Sequence, residues 1–179
     1  MTANSTAVAP SRHRHTTPDP GAGGGHQYLA FTLNGEVFAI DILQIREIIE
    51  FGSLTEVPMM PPTVRGVINL RGAVVPVIDL SARFGRANTE VGRRTCIVIV
   101  EIGLDDETQT LGVLVDAVNE VMEIPSAEIE PAPAFGARVR TDFIRGMGRV
   151  DGRFVIILEV ARVFSVGEIA EISALADVN

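Results

Sequence analysis

Residues 65–84, RGVINLRGAVVPVIDLSARF, return eighty positions later as residues 145–164, RGMGRVDGRFVIILEVARVF, without a gap. Arg65, Gly66, Gly72, Val75 and Phe84 recur as Arg145, Gly146, Gly152, Val155 and Phe164, and Asp79 returns as Glu159. A unit of this size, about 60–70 residues, buries too little surface to be comfortable alone. Two copies packed together share one core, so the repeat predicts a body built of two similar halves with a groove between them.

The turns inside each copy are legible locally. YLAFTL and EVFAID flank Asn34-Gly35, a pair suited to a two-residue type I′ hairpin turn. VINL and AVVPVIDL flank Arg71-Gly72, and FIRGMGRV and RFVIILEV flank Asp151-Gly152. Asp41 is placed to cap ILQIREIIE, where Ile42, Ile45, Ile48 and Ile49 fall at helical spacing and Gln44 stands three after the cap. A strand over 45–51 fits the same letters, and the pattern does not decide between the two. VPMMPPTV is a loop, because its prolines forbid ladder pairing. Asp79 caps a last turn, LSARF, and GRANTEVGRR (85–94) is a polar linker. In the second copy TCIVIVEI and LGVLVD are strands joined by an acidic loop, GLDDETQT. Asp116 stands where Asp41 stood, DAVNEVMEI echoes DILQIREII, and PSAEIEPAPAFG replaces the proline-rich loop.

Four or five short strands per copy, with turns at short spacing, predict an all-β chain of small closed or half-closed barrels with short helical turns. The first pseudo-repeat spans about 27–84 and the second about 95–164. Residues 1–26 are rich in Pro, Gly, Ser and Thr and predict a disordered tail. All three histidines lie there; His13 and His15 read as solvated tail residues rather than weak metal ligands. Residues 165–179 predict a tail or a short helix.

Composition closes several functional classes. The formal net charge of −8 argues against nucleic acid as a partner. All 15 basic residues are arginine, which rules out a Schiff-base lysine and a P-loop. The single Cys96, in TCIVIVE, reads as a buried inert thiol, and no disulfide framework is available. With no apolar run near ~20 residues and no secretory signal core, the sequence predicts a cytoplasmic protein. Asp41, Asp79 and Asp116 each follow an apolar strand at a turn, where capping accounts for them better than acid–base or metal chemistry shared with Glu120. Ser81, Ser126 and Thr95 lack a histidine base, and GAGGG does not follow a strand. The expectation is a protein with no catalytic residues, no metal and no cofactor.

The copies differ at a few positions. Pro76 is replaced by Ile156; proline lacks the N–H of a ladder, so its strand must be at an edge or bulged there. Arg71 is replaced by Asp151. Arginine is enriched at interface hot spots, although a turn-tip arginine is also often only solvated. Glu47 beside Ile45 and Ile48 reads either as a docking strip or as core plus one exposed charge. Gly66 and Gly146 imply a backbone need, and Gly112 implies a bulge or a close approach.

Five stretches, YLAFTLNGEVFAIDILQIREII, VRGVINLRGAVVPVIDLSARF, LGVLVDAVNEVMEI, IEPAPAF and FIRGMGRVDGRFVIILEVARVF, resemble the CheW-type chemotaxis coupling proteins in content, order and spacing. The resemblance covers about Gln27 to Phe164. It implies two five-stranded SH3-like barrels around a common core, acting as an adaptor. It implies two partners, the regulatory domain of a CheA-type histidine kinase and the helical hairpin tip of chemoreceptors (methyl-accepting chemotaxis proteins), and recruitment to membrane receptor arrays. Carried onto this chain, the receptor-binding positions are Ile45, Glu47, Ile48, Gly66, Arg71 and Val118. Kinase binding falls on the second pseudo-repeat, near Gly112. A scaffold of a non-flagellar pathway, for pili or development, is the alternative reading.

Overall fold

The computed structural model describes residues 25–104, 106–132 and 140–164. The expectations for residues 1–24 and 165–179 lie outside the described residues; His26 already belongs to the first strand. The elements run β1 (His26–Leu33), β2 (Glu36–Asp41), β3 (Ile45–Glu50), β4 (Val64–Leu70), β5 (Ala73–Asp79), α1 (Leu80–Arg83), β6 (Cys96–Leu104), β7 (Glu107–Val115), β8 (Ala117–Ile124), β9 (Ile129–Glu130), β10 (Ile144–Val150), β11 (Arg153–Leu158) and α2 (Val160–Val163).

The three dipeptide turns form as their chemistry demands. Both residues of Asn34-Gly35, Arg71-Gly72 and Asp151-Gly152 have positive φ, the type I′ arrangement whose twist matches that of the flanking strands. The ambiguous segment after Asp41 resolves into both of its readings in series. Asp41 accepts a bond from Leu43 N at 2.9 Å and caps one 3-10 turn, Ile42–Gln44; the chain then extends as β3. The acidic stretch read as a loop is mostly strand: only residues 105 and 106 separate β6 from β7. The segment after β8 holds a 3-10 turn, Ser126–Glu128, and the two-residue β9.

The strands form two sheets, β8-β1-β2-β11-β10-β9 and β3-β6-β7-β5-β4. These sheets do not follow the sequence copies. The β1–β2 hairpin of the first copy is built into the sheet of the second, and the β6–β7 hairpin of the second copy into the sheet of the first. Within each sheet the exchanged hairpin meets its host through a parallel pair, β2 with β11 and β7 with β5. The two halves therefore exchange hairpins and cannot separate as independent units.

Burial explains why the exchanged strands read as unbroken apolar runs. Leu29, Phe31, Leu33, Phe38, Ile40, Val98, Val100, Leu111 and Val113 point into one large core between the sheets. Their alternate neighbours fill two smaller cores, Tyr28 and Ala39 in the six-stranded half and Ile97, Ile99 and Leu114 in the five-stranded half. A strand covered on both faces has no polar face to show. Pro76 faces only β4, because the β5–β7 ladder begins one residue later, at Val77. Cys96 is half-buried rather than fully enclosed, with its thiol 3.3 Å from the Arg94 carbonyl.

Asp79 does more than cap α1. It is fully buried and accepts from Ala82 N, Thr89 N, Thr89 Oγ1 and Arg65 Nη1, the last at 2.9 Å. Through Thr89 it pins the polar linker to the barrel. The counterpart arginine, Arg145, bridges Asp41 at 3.3 Å and Glu159 at 4.0 Å. The signal for this pair was in the sequence: an arginine stands fourteen residues before the acid in both copies.

Candidate protein-interaction site

β3 is an edge strand of the five-stranded sheet, and one irregularity sets which way its side chains point. Ile45 pairs with Val100 and Glu47 with Ile99, so Arg46 is an extra residue, a bulge. Ile48 then pairs with Val98. Val98 and Val100 share the face toward the central core, so Ile45 and Ile48 share it too, although three residues apart in a strand would ordinarily oppose each other. Ile45 packs against the central core, while Ile48 is 43% exposed at its margin.

Glu47 points to the other face, toward the mouth of the barrel. There its Oε2 accepts from Arg71 Nη2 at 2.8 Å. The Glu47 side chain is only 20% exposed, and its Oε1 is buried with no partner; the Arg71 side chain is 72% exposed. The sheet order places β3 and β4 at opposite edges, so this ion pair helps to close the sheet into a barrel. The Thr55–Val67 bridge closes it as well. Gly66 stands at that seam, at a register shift in β4, with φ +154. A Cβ there would lie 2.5 Å from the Thr55 carbonyl oxygen, so glycine is required by the close approach of two backbones. Gly146 differs: a Cβ there would meet the Ile129 side chain, with Cγ2 at 2.6 Å, ahead of the Glu130 carbonyl oxygen at 3.2 Å.

Ile45, Glu47, Ile48, Gly66 and Arg71 thus lie on one barrel, on its two edge strands and one hairpin tip. Val118 lies on β8 of the other sheet, opposite Phe31, and packs against the central core as Ile45 does. Gly112 is buried, with β5 and β6 on its two sides. It sits at a regular register rather than a bulge, and a Cβ would lie 2.8 Å from Ile97 Cγ2 and 3.2 Å from Val77 Cγ2. Although it belongs to the second copy by sequence, Gly112 lies inside the five-stranded half and offers no surface of its own. Sequence reasoning missed the Glu47–Arg71 pair; an acid on one candidate strip and a base on another was its only sign.

The arrangement puts an exposed apolar side chain, Ile48, and a mostly exposed guanidinium, Arg71, on one barrel. Among the described residues no group of three His, Cys, Asp or Glu side chains is placed to hold a metal ion. Asp41, Asp79 and Asp116 are each occupied by backbone or arginine partners; Asp116 Oδ2 accepts from Asn34 N at 2.8 Å. No described helix is long and apolar enough to cross a membrane.

Comparison with known proteins agrees with this geometry. The CheW-like domain family matches residues 27–168. The chemotaxis protein CheW of Klebsiella aerogenes is 31% identical over 152 residues, covering 85% of this chain and 89% of that protein. The chemotaxis protein CheW of Rhizobium meliloti is 34% identical over 141 residues, covering 79% and 88%. The crystal structure of the scaffolding protein TtCheW from Thermoanaerobacter tengcongensis superimposes with a TM-score of 0.73 at 35% identity, covering 87% of this chain and 95% of that one. The interlocked two-sheet body, its repeated hairpins and these matches together establish that the chain belongs to the CheW family.

Proposed function

We infer that the chain is a non-catalytic adaptor of chemotaxis signal transduction, joining chemoreceptors to a CheA-type histidine kinase at cytoplasmic faces of receptor arrays. The observation that carries the reading is the Glu47–Arg71 pair beside exposed Ile48, a charged and apolar surface held on two edge strands and a rigid turn. A receptor hairpin tip offers apolar ridges flanked by carboxylates. Ile45 and Ile48 suit the ridge, a helix-in-groove mode, and the mostly exposed guanidinium of Arg71 suits a carboxylate. Val118 joins this surface from the other sheet, and Gly66 acts by holding the seam beneath it.

The kinase is assigned to a separate surface carrying second-copy residues. Because the β6–β7 hairpin of that copy is built into the five-stranded half, those residues occur on both barrels. Gly112 serves there as a packing residue beneath the surface.

The test is a pair of binding measurements on the purified chain, one with a receptor hairpin fragment and one with the regulatory domain of a CheA-type kinase. Both should bind, and together. Failure of both under conditions where such complexes survive overturns the adaptor reading.

A further inference from the structure

The two barrels answer the same architectural position with opposite chemistry. The bulge in β3 has a counterpart in β8, where Leu29 pairs with Val121 and Phe31 with Val118. By this register Glu120 is the counterpart of Glu47, and Asp151 is the counterpart of Arg71. Where the first barrel closes its mouth with an ion pair, the second presents two carboxylates. Neither Glu120 nor Asp151 has an ion-pair or hydrogen-bond partner among the described residues.

The mouth of the second barrel is correspondingly open. Glu120 and Asp151 both line a groove of about 650 Å³, against about 360 Å³ for the equivalent groove beside Arg71. Its walls include Met122, Met147 and Phe154, and Phe154 is 49% exposed. β2 and β11 diverge here, because their parallel ladder holds only Ile156 with Phe38 and Ile157 with Ala39. One arginine, Arg153, also lines the groove, and Glu36 at its edge is bridged to Arg86. A second arginine, Arg149, lies over the Phe154 ring at 5.1 Å from its centroid. The three exposed carboxylates Glu120, Asp151 and Glu123, the last further along β8, still outnumber these two arginines.

We propose that this groove is occupied by the chain's own N-terminal segment, with Arg12 and Arg14 supplying to Glu120 and Asp151 the guanidinium that Arg71 supplies to Glu47. Residues 8–15, VAPSRHRH, offer short apolar side chains beside two arginines. Reach favours this occupant. β1 begins at His26, paired with Ile124, and Glu120 lies four residues back along β8, roughly 14 Å away at strand rise. The intervening TTPDPGAGGG, residues 16–25, is ten residues long, and a chain of that length reaches at most roughly 33 Å, more than the gap. A covalent connection long enough to cross the gap gives a local concentration on the order of millimolar, so weak charge-assisted contacts suffice.

The experiment is methyl NMR of the full chain carrying 13C-labelled methionine, with Met122 and Met147 as reporters in the groove. Deleting residues 1–24 should shift both reporters, and adding a synthetic peptide of residues 1–24 to the shortened chain should shift them back. The variant Arg12→Glu/Arg14→Glu should match the deletion. The variant Glu120→Arg/Asp151→Arg should bind the peptide at least about tenfold more weakly, the scale of losing one charge-assisted contact. Neither receptor nor kinase is needed, so the result is independent of the adaptor reading. Unchanged reporters on deletion, or a full-length spectrum retained by the Arg12/Arg14 variant, overturns the proposal. So do reporter shifts that depend on protein concentration, which would identify a second copy as the occupant.

Discussion

Arg71 Nη2 stands 2.8 Å from Glu47 Oε2, and this ion pair ties the β4–β5 turn to the edge strand β3. The Arg71 side chain is mostly exposed and the Glu47 side chain mostly covered. The pair therefore links the proposed recognition surface to the closure of the barrel beneath it.

Replacing Arg71 separates these two roles. Arg71→Asp is expected to lower receptor-fragment affinity by about 1–4 kcal/mol, the range of an interface hot spot. The loss of stability should be smaller, about 1–2 kcal/mol, because an exposed guanidinium contributes little while the covered Glu47 carboxylate is left unpaired. Kinase binding should persist. Calorimetric titration of the variant against each partner checks the division, and an unchanged receptor affinity removes Arg71 from the surface.

Asp79 and Glu159 occupy matching positions and should respond differently. Asp79→Ala removes a buried carboxylate that accepts from the half-buried Arg65 and from two Thr89 donors, and is expected to cost about 3–5 kcal/mol in urea unfolding. Glu159→Ala removes a partly exposed carboxylate 4.0 Å from Arg145, and should cost no more than about 1 kcal/mol. Equal losses would show that the buried network is not what distinguishes the halves.

Gly112→Val should overpack the five-stranded half. Its new atoms would enter space held by Ile97 and Val77, at an expected cost of about 1–3 kcal/mol. Gly92→Ala, where a Cβ meets nothing within 4 Å, is the matched control and should leave the unfolding midpoint nearly unchanged. If kinase binding weakens in Gly112→Val, it should weaken together with stability.

Tyr28 is the single tyrosine of the chain and lies in the interior of the six-stranded half. Burial raises its phenol above the ordinary value of 10.0; the nearby Arg145 opposes the rise and Asp41 adds to it. The unfolded chain gives up this proton first, so stability is fully present below about pH 10 and falls as pH climbs toward the folded value. Ultraviolet titration of phenolate should show ionisation later than in free tyrosine. In Tyr28→Phe the corresponding part of the alkaline stability loss should vanish.

Much of this was legible before any coordinates. The turns at Asn34-Gly35 and Asp151-Gly152 follow from residues that tolerate positive φ, Arg71-Gly72 takes the same turn with an arginine at φ 53, and the caps at Asp41 and Asp79 follow from carboxylates at the ends of apolar strands. The repeat announced two similar halves and a shared core. The family resemblance named the candidate surface residues, and the fold brings Ile45, Glu47, Ile48, Gly66 and Arg71 onto one barrel.

Three features were decided by the tertiary structure alone. The exchange of hairpins between sheets depends on which distant surface covers the second face of β1, β2, β6 and β7, and no local pattern encodes that choice. The bulge at Arg46 depends on register against β6, some fifty residues away, yet it determines that Ile45 and Ile48 share a face and that Glu47 turns toward Arg71. The placement of Gly112 inside the five-stranded half depends on Val77 and Ile97 closing around it. The sequence by itself determined the turns, the caps and the twofold plan, because those rest on backbone preferences within a few residues. Which halves exchange strands, and which side chains meet across them, rests on burial of apolar surface between segments far apart in the chain, and that is settled only when the whole chain packs.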